Sequence, residues 1–337
     1  MTKPRALITG ITGMVGSHLA DFLLENTDWD IFGMLRWRSQ LDNIAHLIQR
    51  INNRDRVFLV YGDLRDTWSI IDVVKRTRPD YVFHLAAQSF PRVSFEAPLE
   101  TLDTNVQGTL RLLEAIRQEK LGPLIHACSS SEVFGQVRRE QLPINEDCSF
   151  HPASPYGISK VGTELIGRFY AEAYGMKVIV TRMFTHTGPR RGDVFAESTF
   201  AKQIAMIEKN LIPPVVNVGN LKSLRTFTDV RDAVRAYYML LTVNPQPAEA
   251  YNIGGTYTCT IGEMLQTLLD MSTVKNIEVR VDPDRLRPID ANLQVPDSSK
   301  FMQHTGWKPE IPFEKTMADL LGYWRQRVSA TGQFLTR

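Results

Sequence analysis

The sequence predicts an α/β protein built on a doubly wound parallel sheet, followed by a smaller α/β region. Three observations lead there. Short β-branched runs alternate with amphipathic stretches through the first half, and a glycine-punctuated turn joins the first run to the first amphipathic stretch. After about residue 185 the alternation loosens into prolines, glycines and short strands.

Taken in order, "RALITG" reads as a buried strand and "VGSHLADFLLEN" as a helix with Leu19, Phe22 and Leu23 on one face. "WDIFGMLR", "RVFLVYGD" and "DYVFHLAA" are further strands, with helices at "TWSIIDVVKRT" and "LRLLEAIRQEK" between them. "GPLIHACSS" is the fifth strand, "SPYGISKVGTELIGRFYAEAYG" a long helix and "MKVIVTRMF" the sixth strand. Beyond these, "PPVVNVGN", "LRTFTDV" and "AYNIGG" read as short strands, and "DVRDAVRAYYMLLT" and "TIGEMLQTLLDM" as helices. The expected division is 1–184 for a cofactor-binding half, with some later segments returning to it, and 185–330 for a mainly substrate-binding region. The tail "SATGQFLTR" is expected to fray.

Composition narrows the function. Lysine plus arginine (39) nearly balances aspartate plus glutamate (37) in 337 residues. No global field draws the chain to nucleic acid or to an anionic membrane, so an anionic ligand must be met by local arginines. The three cysteines, Cys128, Cys148 and Cys259, lie far apart with no CxxC pair. That argues against a disulfide framework or a metal site and suits a reducing compartment. No apolar run reaches the roughly 18 residues a membrane span needs. A soluble cytoplasmic protein is expected.

In "ITGITGMVGSHLADFLL", Gly10, Gly13 and Gly16 fall between strand and helix, with Thr12, Met14 and Val15 among them. Glycines there allow a tight turn and let backbone amides and the helix N-terminus approach a pyrophosphate. The second strand ends "GMLRWRSQ", with Arg36, Arg38 and no carboxylate at its tip; Asp30 comes too early. An acidic residue at that tip favours NAD and arginine favours a 2′-phosphate, so NADP is expected. Asp63 and Leu64 end the third strand, beside an adenine, and Ala86, Ala87 and Gln88 end the fourth, where backbone nears the cofactor.

"SPYGISK" sets Tyr156 and Lys160 four apart on a helix that Ser154 caps and Pro155 begins, and no other of the ten tyrosines has a lysine at that spacing. A neighbouring ammonium lowers a phenol's pKa, which lets the tyrosine take a hydroxyl proton while a hydride leaves the same carbon. Cys128 has no adjacent base and reads as a small core residue, and His84, His126 and His186 lack metal-ligand spacing.

The glycine turn, the serine-ended fifth strand and the Tyr/Lys pair resemble the extended short-chain dehydrogenase/reductases, whose cofactor domain is a Rossmann fold. The likeness runs over nearly the whole chain. It is closer to the GDP-mannose 4,6-dehydratases and GDP-4-keto-6-deoxymannose reductases in "HLAAQSF", "SSSEVFG", "SPYGISK", "THTGPRRG", "VGNLKSLRTFTDVRDAV" and "LRPID…GWKP". The resemblance implies that Ser130, where the dehydratases have threonine, binds the sugar 4-hydroxyl. It implies that Glu132 removes the C5 proton once C4 is a ketone, with Ser131 helping the C6 hydroxyl depart. Gln88, Thr185, Lys202, Val218, Asn220, Arg225, Arg287 and Asp290 would bind the GDP-sugar. Thr185 replaces a family asparagine and Asp290 a glutamate, which shortens both reaches. Arg190 and Arg191 would lie at a subunit contact of a homodimer or homotetramer. The leading expectation is a GDP-sugar 4,6-dehydratase. The alternatives are an NADPH-dependent GDP-4-keto-6-deoxymannose reductase, a GDP-sugar C4 dehydrogenase or epimerase, and a non-catalytic dinucleotide-binding regulator.

Overall fold

Burial on both faces is what makes the first strand continuous in hydrophobicity. In β1 (Arg5–Thr9), Ala6 and Ile8 enter one core while Leu7 enters the other. A computed structural model describes residues 2–331. Residues 332–337 of the tail lie outside the described residues, while Ser329 and Thr331 continue the last helix, Phe313–Thr331.

β1 pairs in parallel with β2 (Asp30–Leu35) on one side and β4 (Tyr81–His84) on the other. With β3 (Val57–Tyr61), β5 (Leu124–Cys128) and β6 (Lys177–Met183), the sheet runs β3-β2-β1-β4-β5-β6. A seventh strand, Ala250–Ile253, closes it by pairing in parallel with β6. This is the doubly wound parallel sheet the alternation predicts. The helices Met14–Asn26 and Val230–Thr242 cover one face, and Thr67–Thr77, Gly108–Gln118 and Pro155–Tyr174 cover the other. Strand order reverses between β1 and β4, and ligands of such sheets bind in that crevice at the carboxyl ends.

A second core gathers around the helices Ala196–Glu208, Ile261–Asp270 and Phe313–Thr331. Its strand Leu224–Asp229 pairs antiparallel with Tyr257–Thr260 and in parallel with Leu293–Gln294 and His186–Thr187. Val215–Val218 pairs with Glu278–Val281. Among the described residues no helix is long and apolar enough to cross a membrane, and no group of side chains could hold a metal ion.

Candidate active site

The glycine turn is a cradle that side chains would fill. Gly10 has φ +77°, and a Cβ on Gly16 would lie 2.4 Å from the Gly10 carbonyl oxygen. Gly13 caps the first helix without a side-chain bond, leaving its amides open to an anion. Met14 is buried beneath the turn, Val15 and Thr12 are half-buried, and Asn43 fixes the turn by donating to the Thr12 carbonyl at 3.0 Å. Arg36 and Arg38 stand exposed beyond β2, and neither is in an ion pair among the described residues. Asp63 is paired with Arg65, which with Arg36 holds its carboxyl below the ordinary range although burial opposes this. Leu64 is buried and its carbonyl accepts from Arg111, so an adenine would meet the backbone around it rather than its side chain. Ala86 lies against Gly10, whose Cβ would be 3.0 Å from the Ala86 Cα. These residues fit a dinucleotide.

Tyr156 and Lys160 sit on the helix Pro155–Tyr174, and Ser154 caps it by accepting from the Gly157 amide at 3.0 Å. Ser130 begins a short turn, Ser131–Val133, and accepts from the Glu132 amide at 3.2 Å. A Cβ on Gly157 would come within 2.7 Å of the Glu132 carbonyl, so glycine allows the turn and the helix to meet. The Tyr156 phenol is buried, which pushes its pKa up; the Ser130 hydroxyl, by hydrogen bonding, and Arg191, by charge, pull it down, while Glu132 opposes them. The Lys160 ammonium, its pKa lowered by burial, lies 5.9 Å from the phenol ring and donates to the Cys128 carbonyl at 2.7 Å. Gln294 donates to the Ser131 carbonyl at 3.4 Å, tying this turn to the second core.

At the substrate end, Lys202 is buried and pairs with Asp193 at 2.9 Å. It lines a cavity of about 510 Å³ with Gln203, Asn217, Arg280 and Arg285. Arg225, Arg287 and Asn220 converge on Asp290, at 3.7, 3.4 and 3.2 Å, and Arg225 also donates to the Ala291 carbonyl. Burial pushes the Arg225 pKa down, and the Glu132 and Asp290 charges oppose this, which links the cluster to the serine turn. Val218 is fully buried in the second core, so its side chain cannot contact a base. The Thr185 carbonyl accepts from the Thr228 amide at 2.9 Å, and the Gln88 side chain bonds the Phe90 backbone.

Arg190 and Arg191 turn inward: Arg190 pairs with Asp21 at 2.7 Å, and Arg191 pairs with the buried Glu197 at 3.1 Å and stacks on Phe195. Cys128 is half-buried and packs against the first core as a small residue, 3.7 Å from the Tyr237 hydroxyl. Sequence reasoning missed Asn105, Glu197 and Gln294. Asn105 lies in a π-helical segment, Asp103–Gln107, where "DTNVQG" breaks an otherwise good helical pattern. The other two carried no local signal.

A profile of the family described as GDP-mannose 4,6 dehydratase matches residues 7–320. The chain is 34% identical to the GDP-mannose 4,6-dehydratase of Yersinia enterocolitica, covering 94% of this chain and 92% of that one. It is 31% identical to the GDP-6-deoxy-D-mannose reductase of Pseudomonas aeruginosa, covering 96% and 98%. The structure of RMD from Pseudomonas aeruginosa complexed with NADPH superimposes with a TM-score of 0.80 at 30% identity, over 96% of this chain and 100% of that one.

Proposed function

The chain belongs to the GDP-mannose 4,6-dehydratase family, and from that membership we propose that it converts GDP-mannose to GDP-4-keto-6-deoxymannose with NADP held between turnovers. The Gly10–Gly16 turn and the Ala86–Gln88 segment would hold NADP, whose nicotinamide would supply a hydride acceptor for sugar C4 and a hydride donor for C6. Tyr156, oriented by Ser130, takes the 4-hydroxyl proton. The resulting 4-ketone acidifies C5–H, and the Glu132 carboxylate removes that proton. The C6 hydroxyl leaves as water with a proton returned by the Glu132 carboxyl, assisted by Ser131, and the enolate left by hydride return at C6 is protonated at C5 with the proton that Tyr156 took from the 4-hydroxyl. A serine in place of Glu132 would hold too little anion near neutral pH to act as that base. Arg225 and Arg287 meet the diphosphate, displacing contacts with Asp290, and the cavity beside Lys202 takes the nucleotide base.

What supports this reading is the serine turn bearing Glu132 packed against the start of the Tyr156 helix, where a Cβ on Gly157 would lie 2.7 Å from the Glu132 carbonyl, with the Glu132 charge felt by both Tyr156 and Arg225. Arg36 and Arg38 support NADP over NAD. We assign 1–184, with Ala250–Ile253, to the cofactor half and most of 185–330 to substrate. Unpaired cysteines support a reducing, cytoplasmic setting. Ile158, Leu165 and Phe169 form an exposed apolar stripe on the outer face of the catalytic helix and support a homodimer through that helix. Sedimentation of Phe169→Glu should then show a smaller species than the parent; equal sizes would remove this interface.

The test is purified protein mixed with GDP-mannose, no cofactor added, read by mass spectrometry. Loss of one water with no net redox change is expected, and denaturation should release NADP. If GDP-mannose is untouched while GDP-4-keto-6-deoxymannose consumes NADPH, the reductase reading, which the Pseudomonas aeruginosa relative favours, replaces this one.

A further inference from the structure

His84 closes β4 two residues before Ala86, and its ring is buried between two threonines. The Thr9 hydroxyl accepts from the amides of Leu85 and Ala86, both at 3.0 Å. Those two bonds fill its lone pairs, so its only proton points at the His84 Nδ1, 3.0 Å away. The ring proton is therefore on Nε2, which donates to the Thr109 hydroxyl at 3.0 Å. Thr109 donates in turn to the Asn105 carbonyl at 2.6 Å. The Gln88 amide donates to the Asn105 Oδ1 at 2.8 Å, which fixes the side-chain amide. Its Nδ2 then donates to the Gln88 carbonyl at 2.9 Å and to the Ser159 hydroxyl at 2.8 Å. Ser159 donates to the Tyr156 carbonyl at 2.6 Å.

The links from Thr9 through His84, Thr109, Asn105 and Ser159 all lead toward the catalytic helix, while the Asn105 clasp on Gln88 donates and accepts. Thr9, Thr109, Asn105 and Ser159 are all buried, so water cannot substitute for a broken link. We propose that His84, held as the neutral Nε2–H tautomer, is a positioning residue that sets the Tyr156 helix against the Ala86–Gln88 shelf through Thr109, Asn105 and Ser159. The shelf is where the nicotinamide would rest, and Tyr156 bears the proton acceptor, so the series fixes one reacting group relative to the other. Burial, with Lys160 nearby, holds the His84 pKa down to about 3, consistent with a ring that stays neutral. The π-helical segment follows from the same demand. It turns Asn105 so that its side chain clasps both backbone groups of Gln88 while its carbonyl accepts from Thr109 and, at 3.1 Å, from Thr163.

The role rests on Tyr156 being the proton acceptor, while the tautomer does not depend on it. Long-range proton–nitrogen NMR of ring-labelled histidine in the holoenzyme reads the tautomer without substrate. A proton on Nε2 alone is expected; an Nδ1–H or charged ring at neutral pH overturns the proposal even if turnover is normal. In turnover of GDP-mannose, Thr109→Val keeps the shape and breaks the series, whereas Thr109→Ser keeps the hydroxyl. Thr109→Val should lose about tenfold in kcat with KM and bound cofactor within about twofold, because misplaced reacting groups cost rate more than affinity. Its kinetic isotope effect for deuterium at sugar C4 should rise, and Thr109→Ser should restore the parent values. Unchanged kcat in Thr109→Val, or equal loss in both variants, overturns the proposal. An inactive parent with the expected tautomer would instead count against the substrate assignment.

Discussion

Glu132 answers to two neighbours with opposite demands. Its charge opposes ionisation of Tyr156 and supports the charge of Arg225. Glu132→Gln keeps the shape and removes the base. Product formation should fall by roughly 10²–10⁴-fold, the usual contribution of a positioned acid–base group. Oxidation at C4 should survive, so absorbance of the reduced nicotinamide should build up when GDP-mannose is added. A glutamine variant forming the 6-deoxy product at near the parent rate would assign the C5 proton to another group. Tyr156, Lys160 and Glu132 were legible in the sequence because each belongs to a short pattern on one element. Arg191 was visible, but nothing in "GPRRG" tells that Glu197, six residues on, pairs with it. Gln294 reaches Ser131 across 163 residues and left no local trace.

The catalytic helix is held at its start by Ser154 and along its length by an ion pair. Arg182 on β6 binds both carboxylate oxygens of Glu164, at 3.1 and 3.0 Å through Nε, with both side chains buried. The same guanidinium donates to the Glu146 carbonyl at 2.7 Å and stacks near Phe134 and Phe150. Removing one partner leaves the other charge buried, so Arg182→Ala should destabilise by about 3–5 kcal/mol in urea unfolding, whereas Arg182→Met with Glu164→Leu should recover most of that loss. A loss under about 1 kcal/mol would mean that the Glu164 charge finds water. At this scale the sheet strands and the long helix were readable from period and length. The π-helical turn showed only as a break in the helical pattern at "DTNVQG", because its cause is the grip of Asn105 on the distant Gln88.

For the molecule as a whole, four of the seven histidines have depressed pKa values, led in each case by burial. His84 and His126 fall to about 3, and His18 and His186 to about 4, from an ordinary 6.5. Between those limits the unfolded chain binds more protons than the folded one. The stability these rings contribute is whole above about pH 6.5 and declines as the pH drops toward 3–4, by about 1.4 kcal/mol per pH unit for each ring. Urea midpoints should therefore fall steeply between neutral pH and about pH 4.5; flat midpoints would mean that the rings can charge without opening the core. The near-neutral composition does not reveal this acid sensitivity, because it comes from where the histidines lie. The seventh strand carries a further consequence, for synthesis on the ribosome. β6 ends at Met183, and its partner is complete only at Ile253, roughly 70 residues later. At ordinary elongation rates that is on the order of 4–14 s. For that interval the nascent chain exposes an unpaired row of amides and carbonyls beside an apolar strand, a surface open to neighbouring chains and to holdase chaperones. Yield in the cell should thus depend on how fast codons 184–253 are read, although the finished enzyme keeps no record of the delay.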